Sequence, residues 1–354
     1  MKKFSSVLLK NLLTLIIVCS IAVCLIIYPK DTANGIKNGF FLLGNSLIPA
    51  LFPFMVLSSY ISQSNIAELL CKLVEKPFKY LFRTSAYGFI PFVLGLLGGY
   101  PVGAKTVAEF YKDRKISEND AQRLLYWCIN PSPAFAVTAV GTFMLNNTKA
   151  GFVLYFACIL ASLSVGFLCR FIGNGEIQEI KTTQKNLNKN IFVKSVSKGS
   201  EAMLSVCGWV LTFCVLSALC QALKLPHTLT LIIKSVGEVT TGCENAVLSG
   251  LSLPVIAGIL GFGGFAVICQ CATYSTVCKT ELKNLLCSRL INASLSAIYC
   301  SLLLKIFPQY TEVSVVLGTT NTSFTLYHSI GASIILLTMC VLLILEVDNR
   351  KKVC

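Results

Sequence analysis

Long uncharged runs alternate with short polar segments along most of the chain. The runs without Asp, Glu, Lys or Arg are 11–29, 38–67, 84–104, 124–148, 151–169, 202–223, 245–278, 290–304 and 313–345. A helix needs about 20 mainly apolar residues to cross the hydrocarbon core of a bilayer, so this pattern predicts several membrane-spanning helices. With 55% hydrophobic and 13% charged residues, the chain lacks the charge that a soluble surface requires, about a quarter of all residues. The sequence therefore predicts an all-α, polytopic integral membrane protein.

Basic residues between the runs indicate the orientation. Lys2, Lys3 and Lys10 precede the first run, and no signal-cleavage pattern closes it, so we interpret it as a retained helix rather than a signal peptide. The connection 170–201 is the most basic one, and both regions are expected in the cytoplasm. An even number of crossings must separate them. We predict four, listed by position as 11–29, 39–62, 125–145 and 151–171, with the segment 85–107 entering and leaving on the same side because both its flanks are basic.

Two glycine-rich segments, 94–105 and 259–270, predict an internal duplication. Each occupies the same place in a similar order of spans, amphipathic stretch and polar turn. The predicted parts are an N-terminal helix (1–35), a first repeat (36–172), a basic cytoplasmic loop (173–200), a second repeat (201–346) and a tail (347–354). Each repeat contributes an odd number of crossings, so the second copy is expected upside down, as in many secondary transporters. This arrangement places the basic tail 350–352 outside, and it predicts that the two glycine segments approach from opposite faces.

Glycines and prolines inside apolar runs predict helix breaks, because they free backbone groups that lipid cannot satisfy. The expected hinge positions are Gly98, Gly99, Pro101, Pro131, Gly263 and Gly264. Such breaks in a membrane carrier commonly form the substrate site.

Polar and aromatic side chains near these breaks are the candidate substrate-binding residues, since polar groups at membrane depth are costly. They are Tyr100, Lys105, Asn130, Ser132, Phe265, Gln270 and Asn292. Lysine and half-helix N-termini attract anions, and the two aromatic rings are candidates for stacking on a ligand. The competing interpretations are a lysine that extends to the interface, hydrogen bonds between helices and aromatic core packing.

Several function classes lack support in the sequence. The chain has 2 histidines and none of the common hydrolase or nucleotide-binding motifs, so we expect neither an enzyme nor a cofactor. We interpret most of the 17 cysteines as small packing residues, and Cys269 with Cys271 lacks further metal ligands. The net charge of +14 is explained by membrane orientation, so no nucleic-acid partner is expected.

The chain resembles the YlbJ/SpoVV family of sporulation integral membrane proteins, in the nucleoside-recognition (Gate) superfamily. The resemblance lies in Gly-Gly-Tyr-Pro-Val-Gly-Ala-Lys at 98–105, Asn-Pro-Ser at 130–132, and Gly-Gly-Phe at 263–265 with Gln270. It implies a transporter in the outer forespore membrane that moves dipicolinate, an aromatic dianion, from mother cell to forespore. Two alternatives stay open, a carrier of nucleosides or other small solutes and a non-transporting membrane scaffold in sporulation.

Overall fold

The computed structural model describes residues 2–64, 66–172, 190–223, 233 and 236–307. The last uncharged run, 313–345, the tail and most of the basic loop lie outside these residues. Within them the chain is helical: α1 (Lys2–Ile27), α2 (Pro29–Leu42), α3 (Ile48–Gln63), α4 (Ile66–Phe82), α5 (Phe89–Gly98), α6 (Tyr100–Lys112), α7 (Glu118–Leu125), α8 (Thr148–Cys169), α9 (Ile191–Ala222), α10 (Val239–Leu248), α11 (Leu253–Phe262), α12 (Gly264–Val277) and α13 (Leu282–Ile306). Two π-helical segments, Leu43–Leu47 and Ala134–Met144, and a short 3-10 helix, Ala86–Gly88, lie between them.

Length and composition confirm a polytopic helical membrane protein. Four helices are long and apolar enough to cross a bilayer, namely Thr148–Cys169, Ile191–Ala222, Leu253–Val277 and Leu282–Ile306. Two bent helix pairs raise the number of candidate spans to six. One pair joins Asn11–Ile27 to Pro29–Asn45 at 95°, and the other joins Ile66–Phe82 to Ala86–Gly98 at 97°.

One end of the bundle carries the polar connections, and we call it the loop end. Lys115 Nζ donates to the Ser62 carbonyl there at 2.7 Å, and Gln63 Nε2 donates to Ser195 Oγ at 3.1 Å. The helical stretch from α2 through α3 runs toward this end, and α9 starts from it and packs alongside in the opposite direction. Leu211, farther along α9, accordingly contacts Gly39 in α2. The long helices that open the two predicted repeats are therefore antiparallel, as the inverted arrangement requires.

The amphipathic helix α4 starts and ends at the loop end. It follows the end of α3, and the carbonyls of Phe82, its last residue, and of the next residue, Arg83, accept hydrogen bonds from Arg123 at 2.8 and 2.9 Å. Apolar side chains such as Leu73 are exposed on it beside lysines. This combination is typical of a helix in the membrane interface.

The first glycine segment forms a helical hairpin, α5–α6, that turns at Gly99. A backbone with φ of 92° and ψ of −179° there is accessible to glycine and costly for other residues. The two arms cross closely, because a Cβ added to Gly103 would lie 3.1 Å from the Gly95 Cα. Ser85 N, just before the hairpin, donates to Asp120 Oδ2 at 3.3 Å. The segment thus enters and leaves at the same end, as the flanking charges predicted.

The second glycine segment has a different geometry. Helices α11 and α12 are broken at Gly263 and Gly264, both with φ of 81°, yet Leu253–Val277 continues as one span. Its polar turn then meets that of the first repeat, since Lys279 Nζ lies 2.7 Å from Glu118 Oε2 and Gln122 Nε2 donates to the Lys279 carbonyl at 3.2 Å. Both α6 and α12 therefore run toward the loop end. The predicted break is present, and the two segments approach from opposite ends as predicted, because α5 starts at the loop end and α11 at the other end. The second segment continues across where the first turns back.

Candidate binding site at the helix breaks

The two glycine breaks meet in the protein core at Tyr100. Its hydroxyl donates to the Leu260 carbonyl at 2.7 Å, which joins the start of α6 to the end of α11. A Cβ added to Gly263 would lie 3.3 Å from the Tyr100 ring, and Cys271 Sγ lies 3.9 Å from the Tyr100 carbonyl oxygen. Although the second segment does not turn back, the structure brings the two breaks into direct contact.

A third break, between α7 and the π-helical segment, docks on the hairpin. The chain is non-helical over 126–132, where the sequence predicted a break at Pro131. The Cys128 carbonyl oxygen fits against the hairpin crossing, because a Cβ on Gly95 would lie 2.2 Å from it. Ser132 accepts a hydrogen bond from Phe135 N at 3.3 Å, and it lies beside Gly99. The other hinge positions belong to the hairpin, with Pro101 in the first turn of α6 and Gly98 packed against Phe54.

The two predicted asparagines lie on either side of one serine. Ser162 Oγ, in α8, donates to Asn130 Oδ1, and Asn292 Nδ2, in α13, lies 3.5 Å from the same Oγ. Asn130 also donates to the Trp127 carbonyl at 3.0 Å. The side chains of Asn130, Ser162 and Asn292 are all buried. The sequence paired the two asparagines by their spacing from the glycines, but it gave no sign of the serine between them.

Arg289, which the sequence interpretation did not select, lies beside the third break. Its side chain is 1% exposed and donates to the Ile129 and Tyr126 carbonyls. These carbonyls belong to the unwound stretch, where the regular helical bonds are lost. Arg289 stands just before the uncharged run that begins at 290, whereas α13 starts seven residues earlier at Leu282. The spacing of three residues to Asn292 was the available signal, because i and i+3 share a helix face.

Lys105 lies in an ion pair, not in the chain of asparagines. Its Nζ is 3.0 Å from Glu109 Oε1, and the two side chains are only 5% and 10% exposed. It also donates to the Met55 carbonyl at 3.2 Å and to Ser59 Oγ. Glu109 in turn accepts from Ser62 Oγ at 2.7 Å. An acid and the hydroxyls of α3 therefore surround the lysine.

The remaining candidates are placed differently. Gln270 is buried on α12, next to Cys271, which contacts Tyr100. Phe265 is 42% exposed and packs edge-on against Phe262 with centroids 5.9 Å apart, so the structure does not bring it into the cluster. Around the breaks the sequence interpretation also missed buried Glu238, whose carboxylate caps α10 by accepting from Thr240 N at 2.9 Å and Thr241 N at 2.8 Å.

The described residues hold no group of three or more His, Cys, Asp or Glu side chains placed to bind a metal ion. The polar groups at the breaks are instead amides, hydroxyls and one guanidinium. Such groups hydrogen-bond a small polar solute or its carboxylates.

The chain is similar to the sporulation integral membrane protein YlbJ of Bacillus subtilis (strain 168). The two are 24% identical over 327 residues, and the alignment covers 80% of each chain. No protein-family model and no solved structure matches the chain. The helices and this similarity agree on a multi-pass integral membrane protein that resembles YlbJ.

Proposed function

We propose that the protein is a membrane carrier that moves dipicolinate during spore formation, without chemical change of the solute. The observation that carries this proposal is the convergence of three helix breaks on one buried polar region. Tyr100, Asn130, Asn292 and Arg289 belong to it. Secondary transporters place their substrate sites at such discontinuous helices near the bilayer midplane.

The chemistry of the region favours a small anion with a flat ring. Amide and guanidinium donors suit carboxylate oxygens, and the surrounding residues are largely apolar. Similarity to a sporulation membrane protein and the Gly-Gly-Tyr-Pro-Val-Gly-Ala-Lys motif at 98–105 support dipicolinate as that anion. On this proposal the protein lies in the outer forespore membrane and moves the solute down a gradient.

Uptake into proteoliposomes tests the proposal. Full-length protein is reconstituted, and labelled dipicolinate is compared with a panel of nucleosides. We expect saturable dipicolinate uptake that Asn130→Ala and Asn292→Ala reduce at least tenfold. Asn45→Ala is the matched control, because this asparagine is exposed and bonds only its own helix, at the Phe41 carbonyl.

The same experiment separates the alternatives. Nucleoside uptake without dipicolinate uptake would assign a nucleoside carrier instead. A scaffold predicts no uptake of either solute. In a sporulating deletion strain it also predicts that leucine at positions 130 and 292 restores spore formation, and that added dipicolinate rescues nothing.

A further inference from the structure

We infer that Arg289 is the residue that binds a substrate carboxylate, and that it lines a site between α12, α13 and the unwound stretch 126–132. The inference rests on the proposed function, which supplies an anionic solute. It adds that Arg289 carries the positive charge of the site and that α12, α13 and the stretch 126–132 surround it.

The charge of Arg289 has no counterion among the residues that the structure describes. A guanidinium keeps its proton in proteins, so the side chain brings a full positive charge into the core at 1% exposure. Its hydrogen-bond partners there are the carbonyl oxygens of Ile129 and Tyr126, and no carboxylate of the described chain forms an ion pair with it. A buried charge without a partner is strongly unfavourable. An anionic ligand would remove this cost.

The guanidinium also has donor capacity left. It carries five N–H donors, and buried Nε has no partner. The Nε edge and one terminal nitrogen form the fork that binds a carboxylate in two places. The Ile129 and Tyr126 carbonyls accept from the two terminal nitrogens, so they orient the group and leave three of its five N–H donors without an acceptor among the described residues.

The surroundings of this side chain are apolar. Arg289 lies against Ile129, Val267, Ile268, Cys271 and Leu285, and these groups close around it without leaving room for a ligand. The region therefore offers one cation and a hydrophobic wall, a combination that suits an aromatic carboxylate whose ring contacts the wall while its oxygens meet the guanidinium. Val267, Ile268 and Cys271 belong to α12, which starts at the Gly263–Gly264 break, so on this inference α12 moves away from α13 when the ligand enters.

Two other buried cations provide the contrast. Lys105 is neutralised by Glu109 at 3.0 Å. Arg123 resembles Arg289 closely, since it is 2% exposed, donates to the carbonyls of Phe82 and Arg83 and also has a buried Nε without a partner. It lies at the loop end, away from the breaks, and next to Asp120 in α7. Arg123 is therefore a matched control for the structural role of a buried guanidinium.

Binding to the purified full-length protein in nanodiscs tests the inference. The probes are dipicolinate, picolinate with one carboxylate, and pyridine-2,6-dicarboxamide, which has the same ring without charge. We expect Arg289→Gln to weaken dipicolinate about 30-fold or more, the typical loss when one partner of a buried charged pair is removed. The variant should also lose the preference of the wild type for dipicolinate over the diamide. Arg123→Gln should lower thermal stability and leave both the Kd and the preference within about threefold.

The variant Arg289→Lys covers the case in which Arg289→Gln does not fold. It keeps the charge but not the fork, so we expect a Kd several-fold weaker with the preference for anions retained. A folded Arg289→Gln with an unchanged Kd, or an Arg289→Lys that has lost all preference for anions, would overturn the inference while leaving dipicolinate transport intact. A wild type that ignores dipicolinate but binds another aromatic carboxylate through Arg289 would overturn the proposed substrate and support this site. If the wild type prefers no carboxylate over its amide, both are overturned.

Discussion

The buried pair of Lys105 and Glu109 yields the sharpest prediction about stability. Lys105→Met removes the ammonium group, keeps a long unbranched side chain, and leaves Glu109 as a carboxylate that is 10% exposed. Breaking a buried ion pair by removing one partner costs about 3–5 kcal/mol. Ser59 and Ser62 still donate to the carboxylate at 3.0 and 2.7 Å, so we expect the lower part of that range, about 3 kcal/mol.

The double variant isolates the uncompensated charge. Adding Glu109→Gln to Lys105→Met removes the buried carboxylate and keeps an amide oxygen that accepts from the same serines. We therefore expect the double variant to lose only about 1 kcal/mol relative to the wild type, since neutral buried polar groups with partners are nearly balanced. Glu109→Gln alone leaves the lysine with the Met55 carbonyl and Ser59, and it should lie between the two.

A double-mutant cycle measures this coupling. The four proteins are unfolded reversibly in mixed micelles, and their free energies of unfolding are compared. An interaction free energy of about 3 kcal/mol or more is expected. Additive single variants, within about 0.5 kcal/mol, would refute the reasoning. The same proteins also test the sequence hypothesis that Lys105 attracts the substrate. We expect the folded double variant to keep the preference for dipicolinate over its diamide, because the ammonium is already neutralised.

Three further predictions concern packing, pH and topology. Gly103→Ala places a Cβ 1.9 Å from the Cys128 carbonyl oxygen and should lower the free energy of unfolding by about 3 kcal/mol or more. Gly208→Ala, where an added Cβ has no atom within 4 Å, should be neutral or stabilising by up to about 1 kcal/mol. Thermal unfolding compares the two variants. Hydrogen bonds from Lys279 and Tyr111 lower the pKa of Glu118, so its contribution to stability is present above the ordinary carboxylate pKa and is lost as the pH falls through the lowered value. Glu118→Gln should therefore weaken the loss of thermal stability at acid pH, and an unchanged loss would contradict this. Finally, α13 leaves the loop end, which carries basic connections and is expected in the cytoplasm. A single crossing by the last uncharged run, 313–345, would return the C-terminus to the cytoplasm rather than leave it outside as the inverted arrangement predicts. A C-terminal fluorescent-protein fusion should then fluoresce, and an active phosphatase fusion would contradict this topology.

Local sequence signals predicted much of the architecture correctly. Basic residues on both flanks placed the two ends of the α5–α6 hairpin together, because charged residues stay outside the hydrocarbon whatever the partners are. Paired glycines and prolines located all three breaks, since each removes a backbone bond or permits an unusual φ at its own position. The similar spacing of the asparagines from the glycines, 31 residues from Gly99 to Asn130 and 28 from Gly264 to Asn292, indicated that they lie near each other. These features depend on residues close in sequence.

Partnerships between distant residues were not predictable in this way. Similar glycine pairs turn back at Gly99, with ψ of −179°, and continue across at Gly263, with ψ of −11°. Glycine permits either backbone geometry, so the motif alone did not distinguish the two. Lys105 was expected to attract an anion, but α3 supplies three serines beside it and α6 an acid one turn away. Arg289 was overlooked, because its importance comes from carbonyls 160 and 163 positions away.

The sequence by itself determined that this is a helical membrane protein with three interrupted helices. These properties follow from the hydrophobic effect and from backbone bonding, which act at each position regardless of the fold. Only the tertiary structure decided that the breaks converge, that Lys105 is neutralised by Glu109, and that Arg289 has no such partner within the part of the chain that the structure describes. Whether a buried charge is compensated depends on which distant side chains packing brings within about 4 Å of it, and no pattern along the chain encodes that distance.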